Sequence, residues 1–202
     1  ADRLQLELPS ESDAIADLPL LRRGYEQIGQ WTLPQIAFHL AVPIAPALHT
    51  PATLEPTPQQ RQLQGFIDQV IATGWPTDRR ESPVPMRPPA EAPESTIDGL
   101  IESLKKQASY TGTHVDGGMF GPVPLEKMRR FVLIHAAHHL GFLRPTTGRR
   151  IGLRYASEKD VTADVKRLAK GYQQVSKWNL PQICWHLART TEFSMRPGPF
   201  PA

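Results

Sequence analysis

Cysteine is nearly missing from this chain. Cys184 stands alone, so no intrachain disulfide and no cysteine-based zinc knuckle is possible. Long apolar runs are missing too, and nothing approaches the ~18 consecutive residues of a membrane span. Charge of one sign is not in large excess: the formal net charge is +3 over 202 residues. The basic residues lie in scattered pairs such as Arg22-Arg23 and Arg149-Arg150, with no aromatic-rich RNA-binding signature and no recognition-helix motif. That pattern argues against nucleic acid as a partner. Strand patterning is scarce. Leu4–Leu8 and Ile151–Tyr155 alternate for five residues each, enough for extended arms but not for a sheet-based fold. The chain starts at Ala1 with neither Met nor a basic-then-apolar leader. The compartment stays open on that evidence, with the cytoplasm the default and export the alternative if a leader has been cleaved.

Proline, by contrast, is abundant. Of the 21 prolines, 14 cluster at 43–58, 76–93 and 197–201, and they punctuate segments with helical periodicity. Ser10 or Ser12 can cap a helix that runs to about Tyr25, kinked or delayed by Pro19. Thr32 and Gln35 form a Thr-x-x-Gln capping box ahead of a second helix, expected to break at Pro43. Pro58–Thr73 and Ser95–Tyr110 carry further apolar stripes. A glycine-rich loop, 112–122, leads into a helix expected to start near Pro124. The whole reads as an all-α fold.

That last helix is the most informative stretch. His135-Ala-Ala-His138-His139 lies in an otherwise apolar run. On a helix, His135 and His139 leave the same face one turn apart, close enough to hold one cation. Imidazole is a common ligand for divalent metals. Hydrogen-bonded core histidines are the competing reading of the pair. His114 and Asp116, in the glycine-rich loop, are candidates for an acid/base or orienting role, against the plainer reading of a surface turn. His49 has no partner in its motif and receives no role. Cys184 is expected to be a buried, inert thiol.

The chain also repeats itself. Leu21–Val42 recurs as Leu168–Arg189, an offset of 147, with 12 of 22 positions identical, among them the stretches Leu33-Pro-Gln-Ile36 and His39-Leu-Ala41. Ser10, Glu11, Asp13, Ala16 and Asp17 match Ser157, Glu158, Asp160, Ala163 and Asp164. The pattern signals duplication of a unit of about 147 residues. It divides the chain into residues 1–147 and a partial second copy, 148–202, that carries only the first two helices. Those helices, expected over 158–189 and joined near 171–179, have apolar stripes that need a partner surface. A second chain is one such partner, so a homo-oligomer, a dimer, is expected.

The helix opening Trp31-Thr-Leu-Pro-Gln-Ile-x-x-His39-Leu40, followed about a hundred residues later by His135-x-x-His138-His139-Leu-Gly-Phe-Leu143, resembles the DinB-like superfamily of four-helix-bundle metalloproteins. The loop Met119-Phe-Gly-Pro-Val-Pro124 and the trailing Phe142-Leu-Arg-Pro145 look most like an uncharacterised branch of it, a domain of unknown function. The likeness covers residues 4–146, and 151–202 look like the first third of a second unit. What the resemblance implies is a divalent metal, zinc or nickel, held by His39, His135 and His139, with His138 as the alternative if the helix is rotated. It also implies positions left open for water or a small-molecule substrate, as in catalytic sites. Relatives of that superfamily include thiol-dependent transferases, so a metal-dependent hydrolase or thiol transferase is one reading. A non-catalytic helical scaffold with a vestigial site is the other. His186 matches His39 but has no His-x-x-x-His of its own, so it is expected to be no ligand. Trp31 and Trp178 are expected to pack where the first two helices of each copy meet.

Overall fold

The computed structural model describes residues 3–76, 86–146, 153–155, 157–170 and 178–194. Among them the fold is all-α, with short strands that only tie helix ends together. Helix α1 spans Glu11–Arg22 and α2 Leu33–Ala47; α3 spans Pro58–Thr73, α4 Ser95–Ser109 and α5 Leu125–Leu140. α1 packs on α4 and α5, and α2 packs on the same two, so these four close a ring; α3 lies against α5. Leu18, Leu33, Ile36, Ile97, Leu100 and Leu140 are almost wholly buried between them. Each such side chain contributes about 1.5–3 kcal/mol relative to exposure.

Local chemistry sets the helix starts. Ser10 and Asp13 cap α1 reciprocally, and Thr57 and Gln60 do the same for α3. At α2 the Gln35 N–H donates to Thr32 Oγ1 at 3.4 Å, while Gln35 Oε1 accepts from the Thr32 N–H at 2.9 Å. These boxes each satisfy two amide donors that a helix start leaves unpaired. Pro19 sits inside α1, which ends at Arg22, short of Tyr25. Pro43 does not end α2: the helix continues through Pro43 and Pro46 to Ala47. Burial of Ile44 and Ala47 against the core outweighs the lost hydrogen bonds there.

Three two-stranded antiparallel pairs brace the helices. Strand β2 (Tyr25–Gln27) pairs with β5 (Leu143–Pro145), β3 (His114–Asp116) with β4 (Pro122–Pro124), and β1 (Gln5–Leu6) with β6 (Leu153–Arg154). The β2–β5 pair, extended by the Ile28 N–H donating to the Phe142 carbonyl at 2.8 Å, holds the loop before α2 against the end of α5. Arg129 joins α1, α4 and α5. It meets Glu11 at 3.3 Å and Glu126 at 2.9 Å, and donates to the carbonyls of Gln107 and Ala108.

Helices α6 (Glu158–Leu168) and α7 (Leu180–Ser194) lie at the expected offset: 33 + 147 = 180 and 47 + 147 = 194. The joint at 171–177 lies outside the described residues. The caps recur as well, with the Asn179 N–H donating to Gln182 Oε1 and the Gln182 N–H to Asn179 Oδ1. Burial does not recur. Ile36 and Leu40 are 1% and 2% exposed, whereas Ile183 and Leu187 at the equivalent positions are 37% and 50% exposed. Cys184 is half-buried rather than buried.

A candidate metal centre

Three histidine rings meet where α2 faces α5. Capping at Thr32 fixes the start of α2, and burial of Ile36, Ala37 and Leu40 turns the same face of the helix, with His39, into the core. Four-residue spacing brings His135 and His139 to one side of α5. The Nε2 atoms of His39 and His139 each lie 3.0 Å from His135 Nε2. A ligand atom from each of the three lies within 4.8 Å of the others, and no carboxylate or thiol joins this cluster among the described residues.

The arrangement does not work as a hydrogen-bonded core. A neutral imidazole nitrogen is either a single donor or a single acceptor. His135 Nε2 faces two other Nε2 atoms, so it cannot satisfy both with linear bonds. Protonating the rings is no remedy, because burial pushes His39, His135 and His139 below the ordinary imidazole range. Proximity of the rings to one another lowers His135 and His139 further. A cation satisfies all three lone pairs at once. Metal–nitrogen bonds of about 2.0–2.1 Å in a tetrahedral arrangement put ligand nitrogens roughly 3.4 Å apart. The observed 3.0 Å pairs need to open by only a few tenths of an ångström.

The surroundings are preset for this. His39 Nδ1 lies 2.8 Å from the Met86 carbonyl. Donating its Nδ1–H there leaves the Nε2 lone pair facing the cluster, the usual orientation of a metal-ligating histidine. Trp75 stacks on His135 with ring centres 4.0 Å apart and 12° between planes. Gly74, with φ +84, ends α3 in a backbone conformation that side chains rarely adopt and turns the chain so that Trp75 reaches α5. Trp31 stacks on His139 at 5.3 Å and leans on His39 at 4.9 Å. It therefore walls the site rather than filling a joint between α1 and α2. Trp75 directly precedes the proline-rich stretch 76–93 and Met86 lies within it, and the sequence pattern singled out neither. The only available signal was an aromatic residue placed directly after a helix-ending glycine.

The other candidates lie elsewhere. His138 flanks the trio, 4.8 Å from His139 between ring centres, and the cluster does not include it. Its Nδ1 is buried with no hydrogen-bond partner among the described residues. Burial, then the charges of Arg3 and His39, lower its pKa to about 4. His114 and Asp116 form β3, in the hairpin that launches α5. His114 Nδ1 lies 3.1 Å from Thr113 Oγ1, and Asp116 accepts from the Gly118 N–H and meets His49 at 3.2 Å. None of these partners belongs to the cluster. His186 is exposed on α7, edge-on to Trp178 at 4.9 Å, and it too stands outside the cluster.

A protein-family model described as a protein of unknown function, DUF1569, matches residues 1–146 and again 148–201. The chain belongs to that family. No curated protein and no solved structure matches it.

Proposed function

We propose that the chain is a metal-dependent enzyme of the DinB-like four-helix-bundle type, with a divalent zinc or nickel ion held by His39, His135 and His139. The observation that carries this reading is the meeting of a ring nitrogen from each of the three histidines within 4.8 Å, with His39 and His135 buried, His139 half-buried, and His135 Nε2 facing two other Nε2 atoms at 3.0 Å. Three neutral ligands leave coordination positions open, and a bound ion would supply Lewis acidity or a lowered pKa for a coordinated water or thiol. Hydrolysis and thiol transfer both fit that chemistry. The chain's own residues hold the ligand nitrogens unprotonated at neutral pH, fix the His39 tautomer through the Met86 carbonyl, and shield the centre with Trp31 and Trp75. His114 and Asp116 would serve, if at all, from the hairpin ahead of α5.

Elemental analysis combined with anomalous scattering from a crystal tests the reading. One ion per chain at the three histidines is expected. A protein purified and refilled with zinc or nickel that holds neither would refute it.

A second reading, a scaffold that assembles through its C-terminal helices, is favoured by one observation. Ile183, Trp185 and Leu187 on α7 stand at least a third exposed, a combination that usually marks an interaction surface. We read residues 148–202 as a partial duplicate of the first unit and the exposed apolar residues of α7 as a homodimer contact. Sedimentation of the full chain beside the Trp185→Ser/Leu187→Ser variant tests it, with loss of the dimer in the variant expected.

A further inference from the structure

The N-terminal arm crosses the end of α5. The Leu4 N–H donates to the Gly141 carbonyl at 2.8 Å, and β1 is held by pairing Gln5 with Arg154 and Leu6 with Leu153. Gly141 permits this approach. A Cβ there would lie 2.5 Å from the Leu4 carbonyl oxygen. The arm thus sets Arg3 beside the last turn of α5, which carries His138 and His139. Its positive charge is felt by both rings.

Arg3 is partly buried, and no acidic residue pairs with it among the described residues. A desolvated guanidinium with no anion is costly, and structures normally compensate it. His138 Nδ1, on that turn, is a buried polar atom without a hydrogen-bond partner among the described residues. The cluster next to them contributes no carboxylate. Filled with a divalent ion, this end of the molecule would combine two metal charges and one guanidinium charge with neutral rings only. No carboxylate joins the histidine cluster among the described residues, and Arg3 offers a planar fork of donors to receive an anion.

We propose that Arg3, which the arm carries to the last turn of α5, is the subsite for an oxyanion of the substrate, a carboxylate or a phosphate, next to the three-histidine centre. The inference rests on the metal-centre reading and narrows it to an anionic small molecule. One end of that molecule reaches the open side of the ion while its oxyanion is gripped by Arg3. Arg3 acts in binding and orientation; no bond is made or broken on it.

The test uses the full chain loaded with cobalt(II), whose visible absorption reports changes at the ion. Acetate and inorganic phosphate are titrated separately at constant ionic strength, with chloride as the screening control. A saturable spectral change is expected with one or both oxyanions and not with chloride, and the tighter binder tells carboxylate from phosphate. Arg3→Gln should weaken that binding about tenfold or more while cobalt content stays the same, and Arg3→Lys should retain part of it. Equal affinity in wild type and Arg3→Gln, or no response to either oxyanion, overturns the proposal. Absence of cobalt bands in the wild type is instead a failure of the metal reading. In that case the Arg3 Nε–H resonance of the metal-free chain decides. A saturable shift with acetate or phosphate sustains the anion subsite, and no shift overturns it.

Discussion

Replacing His135 by Phe separates the metal from the packing. Phenylalanine keeps an aromatic ring against Trp75, 4.0 Å away in the native stack, and removes the nitrogen that faces both His39 and His139. In metal-free protein the change relieves a buried polar contact that no proton arrangement satisfies. Such a group costs about 1–3 kcal/mol, so the variant should be at least as stable as the wild type. With zinc the order reverses. At free zinc a hundredfold above its Kd, the wild type gains about 2.7 kcal/mol. For a chain of this length that corresponds to a rise in Tm of roughly 5–11 °C, at about 2–4 °C per kcal/mol. The variant, left with two imidazoles, should bind little zinc and show almost none of that rise. Differential scanning calorimetry with and without zinc, alongside metal content, measures both arms. If zinc raises the Tm of His135→Phe as much as that of the wild type, His135 is not a ligand and the assignment of the centre fails. If the metal-free variant is markedly less stable, the argument from unsatisfied nitrogens fails even where zinc binds.

Acid should destabilise the metal-free protein. Burial keeps His39, His135 and His139 below their unfolded pKa and His138 at about 4. The unfolded chain therefore binds more protons once pH drops below about 6.5, so stability is fully present above that value and falls below it. Urea midpoints between about pH 8 and pH 5 should be flat and then decline, and a midpoint that rises on acidification would contradict the burial of neutral rings. Bound metal should also leave as the imidazoles protonate near about pH 5, read by equilibrium dialysis. His186→Ala should leave the metal content of the full chain unchanged, since His186 stands outside the cluster; a fall to half or less would mean that His186 is a ligand. Gly141→Ala should destabilise by about 1–3 kcal/mol despite alanine's better helix propensity, because the new Cβ meets the Leu4 backbone at 2.5 Å. Faster hydrogen exchange at the Leu4 amide should accompany the loss, and an unchanged amide would show that the arm does not depend on this approach.

Several features were legible in the chain because they depend on neighbours in sequence. The Thr32 capping box and a cap at Ser10 or Ser12, of which Ser10 serves, were of this kind, as were the bounds of α3 and the start of α5 near Pro124. Spacing alone put His135 and His139 on one face. The end of α2 was misread because proline's local penalty is visible in sequence, and the core contacts of Ile44 and Ala47 that override it are not. Trp75, the Met86 carbonyl and Arg3 come to the histidines from positions 47–136 residues away from the rings they serve, and no periodicity reports such meetings.

The two similar segments, 21–42 and 168–189, separate sequence from tertiary structure most clearly. Leu33-Pro-Gln-Ile36 and Leu180-Pro-Gln-Ile183 are the same words, and each opens a capped helix of 15 residues with a histidine three positions further on. The sequence by itself determined that much, since helix starts and faces follow from propensity, capping and period. Whether the histidine meets two others was decided only by packing. α2 has α4 and α5 against it, so Ile36 and Leu40 are withdrawn from water and His39 is carried in with them. On α7 the same residues stay exposed, and His186 stays outside the cluster. Burial and the meeting of ligands are properties of the partner surface, which the repeated words do not contain.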